Sequence, residues 1–136
     1  MIPSDPPEDE IQTPYVRLRI EGKIMYCTYA DDLDVTLEVA KACVETRLQL
    51  SRGKSYPVIV DMRGIKSTSR DAREYLASVG STLVTAGALV TGSKFNMALG
   101  NIFLTIDKPP IPTKLFTSEA KAKEWIEHYC NQRPIL

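Results

Sequence analysis

Residues 57–76 read PVIVDMRGIKSTSRDAREYL, and the order of patterns within them sets the fold. PVIVDM is short and almost continuously apolar, as expected of a strand buried on both faces, with Pro57 confined to its start. A helix follows over about 70–79, where Ala72, Tyr75, Leu76 and Val79 recur at i, i+3, i+4 and i+7. Thr68 or Ser69 is placed to cap it, and Asp71 lies early enough to answer the helix dipole. A buried strand feeding an amphipathic helix is the repeating unit of a parallel sheet covered on both faces.

The same alternation continues on either side. YVRLRI (15–20) and KIMYCTYA (23–30) flank Glu21-Gly22 and predict an antiparallel hairpin, with Arg17 and Arg19 opposite Val16, Leu18 and Ile20. A helix is predicted from about 35 to 51, capped by Asp34 and ended by Gly53. Its stripe is Leu37, Ala40, Val44 and Leu48, widened by Val39 and Cys43. AGALVT (86–91) reads as a further interior strand. Beyond Gly92-Ser93 a helix is expected over about 94–106 on the stripe Phe95, Leu99, Ile102, Phe103 and Ile106. Three prolines in 107–112 stop it. TKLFT (113–117) is a short last strand, and Ser118 opens a final helix faced by Ala122, Trp125, Ile126 and Tyr129. The predicted order is β-β-α-β-α-β-α-β-α. This is an α/β fold with a single mostly parallel sheet, an antiparallel N-terminal hairpin, and helices on both faces. One domain is expected over 14–130, between a disordered acidic tail (1–13) and a loose C-terminal tail (131–136).

Composition narrows the function classes. The 136 residues carry 17 basic and 17 acidic side chains and are 43% hydrophobic, which suits one globular domain. Zero net charge argues against a nucleic-acid binder. The longest apolar stretch, 97–106, is about half of what a bilayer requires, so no membrane span is expected. The opening MIPSDPPEDE lacks the positive charge and apolar core of a signal peptide. Cys27, Cys43 and Cys130 form no CxxC pair, so they read as packing residues in a reducing, cytoplasmic setting. Neutrality hides an uneven distribution: Asp5, Glu8, Asp9 and Glu10 are acidic, whereas 52–73 holds six basic and two acidic groups.

In parallel α/β sheets, ligands bind beyond the carboxyl ends of the strands. That rule selects Asp61, Arg63, Lys66, Ser67, Thr68, Ser69, Arg70, Asp71 and Arg73 as a candidate regulatory or anion-binding cluster. Helix-start N–H groups with Arg70 or Arg73 suit a phosphate or carboxylate, and a phosphorylated hydroxyl here would face arginines. The same residues also serve as cap, dipole partner and solvated charges. Ser93 and Lys94 form a second candidate anion site at the next strand-to-helix junction. Gly87-x4-Gly92 resembles a phosphate-binding loop, but Ser93 and Lys94 reverse its lysine and hydroxyl positions. No metal or cofactor is expected. His128 is the only histidine, beside Glu127, and offers neither a ligand set nor a partner for a nucleophile.

The element order, the segment VIVDMRGIKSTSRDAREYL and the closing PTKLFTSEAKAKEWI resemble small bacterial STAS-like proteins. These are relatives of the sporulation anti-sigma-factor antagonists and of the CRAL-TRIO domain. The resemblance covers about 15–130. It is most specific to a branch without an assigned activity, through Asp61, Arg63, Gly64, Ile65, Lys66, Ser67, Arg70, Ala72 and Arg73. A second motif joins Gly100, Asn101, Phe103, Lys108, Pro109, Pro112, Thr113 and Phe116. It implies a non-enzymatic module that binds an unidentified protein partner or itself, and hence a homodimer. The antagonists carry an Asp-Ser phosphorylation motif at the start of the helix after the central strand. Ser67-Thr68-Ser69-Arg70 stands there, without the preceding acidic residue and following glycine. Two other readings compete. One is a small acidic-ligand or lipid-binding domain, expected to show an apolar pocket beside Arg63 and Arg73. The other is a metal-independent enzyme using Asp61 or Asp71, which requires a raised carboxylate pKa in a cleft.

Overall fold

The central apolar run forms the middle of a six-stranded sheet. The computed structural model describes residues 9–132; positions 1–8 and 133–136 of the expected tails lie outside them. The strands are β1 (Glu10–Gln12), β2 (Val16–Glu21), β3 (Ile24–Tyr29), β4 (Leu33–Val35), β5 (Tyr56–Asp61), β6 (Ile65–Thr68), β7 (Val84–Val90) and β8 (Thr113–Phe116). The helices are α1 (Leu37–Ser51), α2 (Arg70–Ala77), α3 (Lys94–Ile102) and α4 (Glu119–Gln132). A 3-10 turn at Val79–Ser81 follows α2, and a π turn at Phe103–Asp107 follows α3.

The large sheet runs β1-β2-β3-β5-β7-β8. β1, β2 and β3 are antiparallel, while β3, β5, β7 and β8 are parallel, as the hairpin and the strand–helix alternation imply. Side-chain alternation then divides the interior into two cores. Ile24 and Tyr26 of β3, Ile59 of β5, and Ala86, Ala88 and Val90 of β7 pack with Ala122 and Ile126 of α4. Met25, Cys27, Tyr29, Val58 and Leu89 face the other way, toward Ala40, Cys43 and Leu50 of α1 and Ala72 of α2.

Several expectations need correction. Residues 10–12, assigned to a disordered tail, form β1, because Ile11 finds Leu18 across the ladder and the Ile20 N–H donates to the Asp9 carbonyl at 2.8 Å. The α4 helix continues to Gln132, past the expected domain end at 130. Asp34 does not cap α1. It lies in β4, and Thr36 is the cap, its hydroxyl accepting the Val39 N–H at 3.2 Å. The short strands β4 and β6 form a separate parallel pair that carries no apolar run for sequence reading to detect. On α3 the expected stripe holds only in part, with Leu99 and Phe103 packed against the core. Asn96 and Gly100 are buried, while Phe95 and Ile106 are 62% and 70% exposed.

Candidate functional site

Asp61 ends β5 and holds Arg63 through both oxygens. Arg63 Nε donates to Oδ1 at 2.9 Å, Nη2 to Oδ2 at 2.7 Å, and the Arg63 N–H to Oδ1 at 3.1 Å. Burial alone would raise the Asp61 carboxyl, but these hydrogen bonds from Arg63 outweigh it and hold the pKa below the ordinary carboxylate value. The Arg63 stem packs on Gly92, where a Cβ would stand 3.3 Å from Arg63 Cγ. Arg63 therefore belongs with Ser93 and Lys94, at the ends of β5 and β7. That corner has no phosphate cradle. Ser93 caps α3 by accepting the Asn96 N–H at 3.1 Å, and the Gly92 N–H is taken by Asn96 Oδ1 at 3.1 Å.

Asn96 went unremarked in the sequence reading and proves structural. Its side-chain amide donates to the Met62 carbonyl at 2.8 Å and the Ile65 carbonyl at 3.3 Å, pinning the loop after β5 to α3. A polar residue three positions after a capping serine, on the inner face of the helix, was its only sequence signal.

The remaining candidates follow β6 into α2. Lys66 is exposed. The Ser67 hydroxyl donates to Asp34, joining β6 to β4. Ser69 is the α2 cap: its hydroxyl accepts the Ala72 N–H at 3.3 Å and donates to the Asp71 carboxylate. The Ser69 hydrogen bond is the main reason the Asp71 carboxyl lies below its ordinary pKa. Arg70 pairs with Glu74 at 3.1 Å on the open surface. Arg73 turns inward, its Nε donating to Asp107 of the π turn at 3.1 Å and its Nη1 reaching the Thr68 hydroxyl and carbonyl at 3.4 Å. Arg70 and Arg73 line a surface hollow of about 400 Å³ with Lys108, whereas Arg63 and Lys94 do not. The expected cluster is thus divided between two places, and Arg63, Arg70 and Arg73 each already have a carboxylate.

The acid–base reading required Asp61 or Asp71 with a raised pKa; both are shifted the opposite way. Among the described residues no group of three metal-ligating side chains gathers. His128 is exposed.

An apolar pocket does exist, and Arg73 is on its wall, but Arg63 is not. It lies between α1 and the sheet, holds about 130 Å³, and also reaches α2, α3 and Pro109. Arg47 of α1 lines it, a residue missed in the sequence reading, which continued the α1 stripe from Val44 to Leu48. The buried residues are Ala40, Cys43, Val44, Arg47, Leu50 and Ser51, so the true spacing of i, i+3, i+4, i+7, i+10 and i+11 includes the arginine. Arg47 Nη2 donates to the carbonyls of Gly80 at 3.0 Å and Thr82 at 2.8 Å. Its Nη1 is buried without a partner. Burial lowers the Arg47 pKa and raises those of the adjacent Cys27 thiol and Tyr29 phenol; it pushes Cys43 up to about 11.

Comparison with known proteins agrees with this architecture. An uncharacterised protein of the DUF3478 family from Shewanella loihica PV-4, described as having a SpoIIAA-like fold, superposes with a TM-score of 0.59. The match covers 82% of this chain and 91% of that one at 11% sequence identity. The fold is therefore SpoIIAA-like, the STAS-like architecture that the motifs indicated. No curated protein matches the chain. No helix among the described residues is long and apolar enough to cross a membrane. The model of a domain of unknown function, DUF7793, matches residues 18–130.

Proposed function

The chain belongs to the DUF7793 family, and we propose that it acts as a non-enzymatic STAS-like module, cytoplasmic and regulatory, that binds a protein partner through the start of α2. The observation that carries this reading is the exposed Ser69–Arg70 corner. Ser69, Arg70 and Asp71 are all solvent-exposed at a helix N-terminus, while the residues behind them, Ala72 and Arg73, are anchored. The corner is thus rigidly presented and open to recognition. Its hydroxyl lies where the helix dipole favours added negative charge, and Arg70 adjoins it. The low pKa values of Asp61 and Asp71 also support a binding role, since an ionised, hydrogen-bonded carboxylate is a poor general acid.

The test pairs phosphopeptide mapping of residues 67–69 in protein from its native cells with capture by wild type, Ser69→Glu and Arg70→Glu. The expected result is a partner retained by wild type and released by at least one variant. Unmodified hydroxyls together with no retained partner would overturn the reading.

A homodimer is part of the same proposal. The outer edge of α3 carries Phe95, Ala98 and Ile102, continued within the π turn by Ile106, and Phe95 and Ile106 are among the most exposed large apolar side chains. A contiguous apolar stripe of this kind marks a contact surface. Sedimentation should show wild-type association that Phe95→Asp abolishes; a monomeric wild type at high concentration refutes it.

A further inference from the structure

The cavity beside α1 combines two features that rarely coexist without a ligand. Most of its wall is hydrocarbon, including Val58, Val60, Leu76, Leu89, Leu99 and Phe103. An apolar cavity of roughly 150 Å³ accommodates benzene. At about 130 Å³ this one has room for a smaller apolar group, a chain of about four to six carbons. The same wall holds Arg47, 6% exposed. Two backbone carbonyls satisfy one of its terminal nitrogens, and the other has no acceptor. Among the described residues no carboxylate forms an ion pair with it. The ionisable groups that act on it electrostatically, Cys27 and Tyr29, are held in their neutral, protonated forms by burial. A guanidinium buried without a counter-ion is destabilising, and a carboxylate is the acceptor its planar fork fits best.

Gly87 is the third observation. It lies mid-strand in β7 and lines the cavity. Glycine weakens a strand interior and often marks a place that something else approaches closely. Its neighbours do not demand it: a Cβ would meet only the Thr113 side chain, at 3.5 Å, an ordinary contact. The missing side chain keeps the space open. Thr68, Arg73, Pro109 and Ile111 on the lining are half-buried and place one side of the cavity near the surface between α2 and the segment after the π turn.

We propose that this cavity binds a small apolar monocarboxylate, with its hydrocarbon tail among the residues of β5, β7 and α3 and its carboxylate on Arg47. The site is independent of the α2 corner: it requires neither phosphorylation nor a protein partner, so either proposal can fail alone.

Three probes with one tail and different heads test it on the full chain: sodium valerate, 1-pentanol and pentylamine. Binding is followed by NMR shifts of the Leu89 and Leu99 methyl groups and the Arg47 side chain, and by the alkylation rate of Cys43. Valerate should bind at least about tenfold more tightly than 1-pentanol, slow Cys43 alkylation, and outcompete pentylamine entirely. Gly87→Val, which fills the floor with a strand-favouring side chain, should lose valerate binding. Arg47→Met should bind valerate no better than 1-pentanol. Equal binding of the two by wild type, valerate shifts confined to surface lysines, or unchanged binding in Gly87→Val would each overturn the proposal. If Arg47→Met fails to fold, the head-group comparison on wild type decides the matter without it.

Discussion

Gly64 sits where the chain crosses itself. A Cβ at this position would stand 2.3 Å from the Ala30 carbonyl oxygen and 2.9 Å from that of Tyr29, both parts of the backbone that leaves β3. Neither can yield as a side-chain tip can, and the Gly64 carbonyl accepts the Leu33 N–H at 3.1 Å, which fixes the crossing. Gly64→Ala should therefore cost about 3 kcal/mol or more in urea unfolding, a steric penalty far above that of an ordinary surface change. Asp61, three residues earlier, makes a prediction about pH. Its folded pKa lies below the unfolded value, so its contribution is fully present above the ordinary carboxylate range and fades as pH falls through the folded value. In Arg63→Gln the two guanidinium hydrogen bonds and the positive charge are lost, while the backbone N–H bond and the burial remain. The carboxyl titration followed by NMR should then move to higher pH, and acid destabilisation should begin at higher pH with it. An unchanged titration would show that Arg63 does not set the value.

At the scale of elements, legibility followed pattern strength. β5, β7 and α4 announce themselves because a strand buried on both faces must be apolar throughout and a helix on a sheet must show one apolar stripe. β4 and β6 were illegible: they are three and four residues long, and Asp34 and Lys66 on them are exposed. The α3 stripe, right at Leu99 and Phe103, misled at Phe95 and Ile106, because its apolar residues outnumber the places that bury them; buried Asn96 and Gly100 put the polar and the small residue inside. Gly100 is inward because Leu115 of β8 closes on it, 2.7 Å from where a Cβ would be. The residues of the candidate cluster could be named from their position after β5, but their partners could not. Asp34 and Asp107, which hold Ser67 and Arg73, lie 33 and 34 positions away in the chain. The cap of α2 was legible to within one residue. Ser69→Ala should lower stability by about 1 kcal/mol, and Ser69→Asp should restore most of it, because a carboxylate also accepts the helix-start N–H. Thermal denaturation of the two variants side by side checks this.

The whole molecule is asymmetric about its sheet. One face is covered by α1, α2 and α3, with the cavity among them, and the other by α4 as the principal cover. Ile126 and Ala122, both fully buried, are the contacts through which α4 closes that second core over Ile59, Ala86, Ala88 and Val90. The alanines of β7 leave little depth there, so α4 packs close, and among the described residues no second helix joins it in that core to compensate for a gap. Ile126→Ala should cost about 3 kcal/mol, toward the middle of the range for buried isoleucine truncations. Native-state hydrogen exchange should show the loss concentrated in α4 and the β5 and β7 amides; uniform loss across α1 as well would mean that the two cores do not open separately.

The sheet has two outer strands, β1 and β8, and both are poor templates for growth. β1 is three residues long and bears Glu10; β8 is four residues long and bears Lys114. Pro109, Pro110 and Pro112 lead into β8, and none of them carries an N–H to offer an incoming strand. Short, charged and proline-flanked borders blunt strand-by-strand polymerisation. In the proposed homodimer the contact runs through helix side chains and not through strand backbones, an arrangement that favours a reversible, finite assembly over an open-ended fibril.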